Sequence, residues 1–355
     1  MSADQHPAGN GAGAQVAKRR RLQVPPVKCL DRETYLAKMK EVLSPMVQIG
    51  AMYSSLVDGI VTDPELMALP IHDHAIVRGH AVFDTCSVVN GRLYRVDIHL
   101  DRHIDSALSA RIPLPFGESS EACKERMRTI IAQTVVASGF RNASVRYYTS
   151  AGPGNFGVTP DGCRPAFYVV VMGKAANVIK DEDMKGIREY TVDLPLKPGM
   201  LAKTKSNNYM LNVLTAMASK DRGGNFGILV DDEGCIAESC VLNCTFITKD
   251  RRLITPSFDK ILAGTSVRKI MDVAHRLVAE GVLTAVSQEK IQVATAKECV
   301  EMLLSGGDTP LVPVTHWDDK PVGTGHVGEV TKRLIQLVKE DAEEGVDDHY
   351  DLEYA

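Results

Sequence analysis

The sequence predicts an α+β protein of two domains flanked by tails, and three observations carry that expectation. At 355 residues the chain exceeds what one small hydrophobic core organises, so it divides into two units or surrounds one with long tails. Its β-prone runs come in groups separated by turn residues, and they do not alternate with helices in the strict order of a parallel sheet. The ends also differ from the middle: residues 1–26 are rich in Gly, Ala and Pro, and residues 339–355 are acidic.

Residues 1–26 cannot bury enough apolar surface to offset their ordering entropy and are expected as a disordered tail. Four basic residues there, Lys18 to Arg21, read as solvated charge rather than a nucleic-acid contact. An N-terminal α+β domain is expected over 27–173. In it, Tyr35, Met39 and Val42 have helical spacing within a helix over 31–50. "AMYSSLVDGIV" reads as a strand and turn. "AVFDTCSVVNGRLYRVDIH" reads as two short strands split by Asn90-Gly91, a pair that tolerates the positive φ of a tight hairpin. Helices follow over about 100–110 and 119–138, then strands in "ASVRYYTSAG" and "AFYVVVMG". Residues 174–187 read as an interdomain linker. The second domain, 188–338, opens with "REYTVDLPL". It continues through "AKTKSNNYMLNVL" into a helix and then a meander broken at "DDEG" and "KDRR", both turn-forming clusters. A helix after "LAGTS", short alternating elements and a last helix, "GEVTKRLIQLVKE", complete it, before a frayed acidic tail, 339–355.

Composition excludes little but removes the need for special partners. With 44% hydrophobic residues, 24% charged residues and a net charge of -4, neither nucleic acid nor membrane is demanded. No apolar run is long enough to span a bilayer, and no apolar signal core opens the chain. The eight cysteines include no C-x-x-C pair and read as reduced thiols of a cytoplasmic protein, organellar import through the tail being left open. No G-x-x-x-x-G-K-[ST] phosphate loop occurs.

Four features ask for a chemical reading. Lys205 precedes a helix whose apolar face is Met210, Leu211, Leu214, Met217 and Ala218. That helix is expected to start near Asn207 or Asn208, under a Ser206 or Asn207 cap. An amine at the positive end of a helix dipole has a lowered pKa, as a nucleophilic lysine requires. A plain solvated lysine fits the stretch equally, and Lys203 competes for the role. Glu238, inside the apolar "CIAESCVLNCTFI", either faces solvent or pairs with a buried cation. Gly264, Thr265 and Ser266 precede a helix with Ile270, Val273, Ala274 and Leu277 on one face. That start is either an anion site suited to phosphate or an ordinary cap. Arg102, three residues after His99, is a surface arginine or a phosphate clamp. His72, His74 and His80 lack further ligands at familiar metal spacing, so no metal is expected. Together the four features supply an amine, an acid for a ring nitrogen and two phosphate contacts, the parts that hold pyridoxal 5'-phosphate.

In order and spacing, "RGHAVFDT", "HLDRH", "KSNNYMLNVL", "ESCVLNCTFI", "LAGTSVRKI" and "TPLVPVTHWDDKPVGTG" resemble the fold-type IV (class IV) pyridoxal-phosphate-dependent aminotransferases over roughly residues 50–338. The resemblance implies a smaller N-terminal α/β domain and a larger C-terminal domain with a pseudobarrel-like sheet, assembled as a homodimer. It assigns Lys205, not Lys203, as the Schiff-base lysine, and Glu238 as the acid on the pyridinium nitrogen. Arg102, Thr265 and Ser266 become phosphate ligands, Tyr209 a residue near the ring, and Asn243 a supporting one. Gly307 and Asp308 stand where relatives carry small hydroxyl residues, so either Asp308 points away from the phosphate or that contact shifts to Ser305 or Thr309. Arg146 and the glycine-bearing loop after it resemble the branched-chain enzymes, which implies a substrate contact at Arg146. "RGHAVFDT" and "SAGPGNF" look most like plant-type members described as D-amino-acid transaminases or branched-chain-like proteins. The implied reaction is transamination between an amino acid, D-amino acids first, and 2-oxoglutarate or pyruvate. Branched-chain L-amino acids, aminodeoxychorismate lysis and a non-catalytic homologue are the alternatives.

Overall fold

The structure is a computed structural model that describes residues 27–43, 48–117, 119–173, 185–307 and 309–354. The expected N-terminal tail, most of the expected linker (174–184) and Asp308 lie outside the described residues.

Six strands from the first half are β1 (Ile49–Ser54), β2 (Gly59–Val61), β3 (Ala81–Val89), β4 (Arg92–Tyr94), β5 (Ala143–Ser150) and β6 (Ala166–Gly173). Helices α1 (Arg32–Leu43), α2 (His74–Val77), α3 (Val96–Ser109) and α4 (Ser120–Ser138) lie among them. Asn90 and Gly91 take φ of 52° and 83°, the geometry that lets β3 and β4 form a two-residue hairpin. α4 starts at Ser119, whose hydroxyl accepts from Ala122 N at 3.2 Å, and ends at Gly139 with φ 72°, a capped entry and a left-handed exit. Its buried stripe, Cys123, Met127, Ile130, Ile131, Thr134 and Val135, has helical period and packs on the sheet with Val96 and Leu100 of α3. The helix expected over 31–50 is shorter: α1 ends at Leu43 and buries no residue.

Strand parity then decides what faces what. Asp84, Cys86 and Val88 pair with Tyr147, Val145 and Ala143 on the face covered by α3 and α4. Phe83 and Thr85, paired with Tyr148 and Arg146, occupy the opposite face.

The second half contributes β7 (Ile187–Glu189), α5 (Gly199–Lys203), α6 (Met210–Lys220), β8 (Ile228–Val230), β9 (Ile236–Ser239), β10 (Asn243–Ile247) and β11 (Arg252–Pro256). After these come α7 (Thr265–Ala279), β12 (Ala285–Glu289), α8 (Val293–Lys297), β13 (Glu301–Gly306), β14 (Thr309–Trp317), β15 (Lys320–Pro321) and α9 (Glu329–Glu344). The pairings β14–β7, β8–β9, β9–β10, β10–β13 and β13–β14 close on themselves through a parallel bridge from Thr191 to Ile228. That ring is the expected pseudobarrel. Ile228, Leu242, Phe246, Met302 and Trp317 fill it, while Ile270, Ala274 and Leu277 of α7 and Leu334 and Leu337 of α9 cover its outside.

The C-terminal segment corrects an expectation. Residues 339–344 finish α9, and β16 (His349–Asp351) returns to pair with β4, completing a seven-stranded sheet ordered β16-β4-β3-β5-β6-β1-β2. Its acidic side chains find partners. Asp341 accepts from Tyr94 Oη at 2.7 Å and pairs with Lys269 at 2.9 Å, and Asp348 accepts from the N–H groups of Asp97 and Ile98 at 3.0 and 3.3 Å. Tyr350 and Tyr354 add packing under Arg128 and Arg141. Two aromatic residues and a helix cap outweigh an acidic average. All eight cysteines are free, and no described helix is long and apolar enough to cross a membrane.

Candidate active site

Lys205 is placed by a sheet edge. β4 covers only Ser87–Val89 of β3, so the first part of that edge is open, and Lys205–Asn207 fill it. Phe83 N donates to Lys205 O at 2.9 Å, Asn207 N donates to Ala81 O at 3.0 Å, and Ser206 bridges to Val82. Lys205 N also donates to Ser106 Oγ of α3 at 3.2 Å. Extended backbone points Lys205 inward and leaves Lys203, in the last turn of α5, exposed. Lys205 Nζ donates to Tyr209 Oη at 3.4 Å and stands 4.8 Å from the centre of the Phe83 ring.

Two expectations change here. α6 starts at Met210 with Tyr209 in the cap position and no side-chain cap; Asn207 Nδ2 instead donates to Ala75 O at 3.1 Å. Strand pairing has claimed the residues that would have capped the helix, so the dipole is not what acts on Lys205. Burial lowers its pKa to about 8, with Arg102 assisting and Asp84 and Glu238 opposing. The apolar face also turns outward. Met210, Leu214 and Met217 are exposed, while Thr215 and Ser219 are buried.

A cleft opens at Lys205. Of the residues singled out from the sequence, Arg102, Lys205, Tyr209, Glu238, Asn243 and Thr265 line it. Ser266 and Arg146 are not among its lining residues. Glu238 sits on β9 opposite Asn243 of β10. Burial raises its pKa to about 7, opposed by Lys197, the Leu262 N–H and Lys205. Lys197, which the sequence did not mark, stands 4.7 Å from the centre of the Tyr209 ring and has its own pKa lowered by burial against the pull of Glu238. Asn243 Nδ2 donates to Leu262 O at 3.0 Å, and a Cβ at Gly264 would overlap Asn243 Oδ1. Asn243 thus shapes the loop that delivers the start of α7.

That start faces the cleft through Gly264 and Thr265. The N–H groups of an α-helix's first turn have no intrahelical acceptor, and with Arg102 alongside they form a cationic end suited to a phosphate. Thr265 is buried, its carbonyl accepts from Arg95 Nη1 at 2.9 Å, and its Oγ1 lies 3.3 Å from His99 Nε2. Gly306 and Gly307 also line the cleft, so their backbone stands where a hydroxyl side chain was considered. Ser305 does not line it; its Oγ is buried without a partner among the described residues. Arg102 places Nε 2.8 Å from Asp84 Oδ2 and Nη2 2.7 Å from Asp84 Oδ1. Arg146, on the opposite sheet face, donates from Nε to Thr85 Oγ1 at 3.2 Å and lies over the Phe83 ring at 5.6 Å. Phe83 is therefore a shared floor for Lys205, Tyr209 and Arg146. An amine, an acid across the cleft and a cationic helix start are the donor set that pyridoxal phosphate requires, and the residues present fit it.

Residues 81–317 match the family described as amino-transferase class IV. The D-amino-acid transaminase, chloroplastic, of Arabidopsis thaliana is 41% identical over 302 residues, 84% of this chain and 78% of that protein. A putative branched-chain-amino-acid aminotransferase of Methanocaldococcus jannaschii is 27% identical over 287 residues, 80% of this chain and 94% of that one. Among solved structures, the branched-chain amino acid aminotransferase from Escherichia coli has a TM-score of 0.71 at 21% identity, covering 85% of this chain and 97% of that chain. At that identity the likeness is one of fold.

Proposed function

Because the chain belongs to the class IV aminotransferases, a pyridoxal-phosphate-dependent family, we propose that it moves the amino group of a D-amino acid to 2-oxoglutarate or pyruvate. Lys205 carries this reading: an inward amine, held by β pairing to β3, with a pKa of about 8. At neutral pH about a tenth of such an amine is neutral, on the order of a hundredfold more than for an unperturbed lysine. It can therefore take a proton from the substrate Cα and return one across the cleft. The bound cofactor supplies an electron sink for the carbanion so formed.

The other residues hold and orient. Glu238 carries the charge opposite the ring nitrogen, with Lys197 favouring its ionised form. Arg102, Gly264, Thr265 and the neighbouring Ser266 take the phosphate end, and Tyr209 flanks the ring beside Lys205. Arg146, a cation on the Phe83 face, takes a substrate carboxylate. A bound cofactor would be held by Arg102 of the unit over 27–173 and by Lys205, Glu238 and Thr265 of the unit over 188–338.

The preference for D-amino acids is supported by the Arabidopsis relative; the Methanocaldococcus relative favours branched-chain L-amino acids as the second reading. A panel of D- and L-amino acids with each acceptor separates the two. Turnover confined to branched-chain L-amino acids overturns the first reading. A homodimer is part of the same proposal, supported by the outward face of α6, where Met210, Val213, Leu214 and Met217 are 73, 52, 41 and 54% exposed. We place the protein in the cytoplasm; a reporter fused to the full chain and found in an organelle instead would refute that.

A further inference from the structure

We propose that Asp84 is a positioning residue that sets the grip on the cofactor's phosphate by tying α3 to the start of α7. The inference rests on the reading above that the phosphate lies between Arg102 and Gly264–Thr265. Asp84 is completely buried, on the face of β3 that meets α3. A carboxylate there costs several kcal/mol unless it is fully paired. Its oxygens accept from Thr85 N at 2.7 Å, from His99 Nδ1 at 2.9 Å, and from Arg102 Nε and Nη2. Burial alone would raise its pKa; Arg102 and His99 overcome that and hold it well below the usual carboxylate range.

This pairing acts on both phosphate elements. His99 and Arg102, three residues apart, share one side of α3, so a single carboxylate can reach both. The Arg102 fork is fixed by two bonds, and its Nη1 makes no hydrogen bond to a described residue, while Arg102 lines the cleft. His99 is buried. With its Nδ1–H donating to Asp84, Nε2 is the acceptor left for the Thr265 hydroxyl at 3.3 Å. Thr265 then meets an anion through its backbone N–H. Arg102 comes from the first half of the chain and α7 from the second, and Asp84 sets their relative position without touching the amine end.

The test compares two aldehydes on the full chain freed of cofactor: pyridoxal phosphate, and pyridoxal, which lacks the phosphate. Binding is followed by visible absorbance, and melting temperature is recorded without either. In Asp84→Asn the affinity advantage of pyridoxal phosphate over pyridoxal should shrink roughly tenfold, the equivalent of one charge-assisted hydrogen bond. Removing the Asp84 charge also leaves the Lys205 amine less protonated, a change shared by both aldehydes, so pyridoxal affinity should not fall and the ratio isolates the phosphate end. His99→Asn keeps the Asp84–Arg102 pair and should shrink the same ratio by less; it carries the test if Asp84→Asn does not fold. An unchanged ratio, or an equal fall for both aldehydes, overturns the proposal. A wild-type chain that binds the two aldehydes equally overturns the placement of the phosphate itself, and the role of Asp84 with it.

Discussion

Lys205 and Lys203 are two residues apart, and the structure gives them opposite chemistry. Burial, aided by Arg102, takes the Lys205 amine down to about 8, whereas an unperturbed lysine titrates at about 10.4. At pH 7 about one Lys205 amine in ten is then neutral, on the order of a hundredfold more than for a model lysine. Trace acetylation of the cofactor-free chain across pH 6 to 11, with fragment-ion mapping to distinguish the two lysines, measures this directly. The Lys205 rate should level off above about pH 8. Arg102→Ala removes a neighbouring cation and should move the Lys205 midpoint upward. If Lys205 still gains reactivity steeply beyond pH 10, or if Arg102→Ala moves the midpoint down, the account of burial and charge is wrong.

Further outcomes follow from the same geometry. Lys205→Ala should abolish turnover and the visible cofactor absorbance, whereas Lys203→Ala should retain both; loss in the second variant alone would reverse the assignment. Glu238 has a folded pKa raised to about 7 from 4.5, so its stabilising contribution is complete below the unfolded value and is lost as pH rises through 7. Cofactor-free Glu238→Gln should therefore gain melting temperature on wild type between about pH 5 and 7; parallel curves would refute this. Gly264→Ala puts a methyl group into Asn243 Oδ1 and should weaken pyridoxal phosphate by about tenfold or more, read by absorbance titration. Leu214→Glu on the outward face of α6 should give a monomer by light scattering, and an unchanged dimer would show that this face is not the interface.

Much of this was legible in the chain and some was not, for identifiable reasons. The Asn90-Gly91 hairpin and the α7 stripe are local patterns, and local patterns survive tertiary folding. Of the six cleft residues, Lys205, Glu238, Arg102 and Thr265 each had an ordinary reading when taken singly; their combination marked them, and the motif resemblance added Tyr209 and Asn243. Asp84 carried no such mark. In "AVFDTCSVV" an aspartate looks like an ordinary solvent-facing strand position, and only strand parity against α3 buries it beside Arg102. Lys197 was missed because a lysine between two prolines reads as a loop charge. The apolar stripe of α6 was visible, but periodicity says which side is apolar, not what covers it. Barrel closure through Thr191 and Ile228 links segments whose sequence signals are independent.

The return of β16 bears on how the protein is made. Asp348 donates nothing to the cleft, yet it caps the helix that carries His99 and Arg102 from 251 residues away. During synthesis at about 5–20 residues per second, that helix waits on the order of 13 to 50 s for its cap and the first sheet waits for its edge strand. The first unit cannot finish until the segment through β16 has been synthesised, and contacts of such long range form slowly. A chain released before Asp348 would carry every cleft residue and still lack the cap that steadies its arginine.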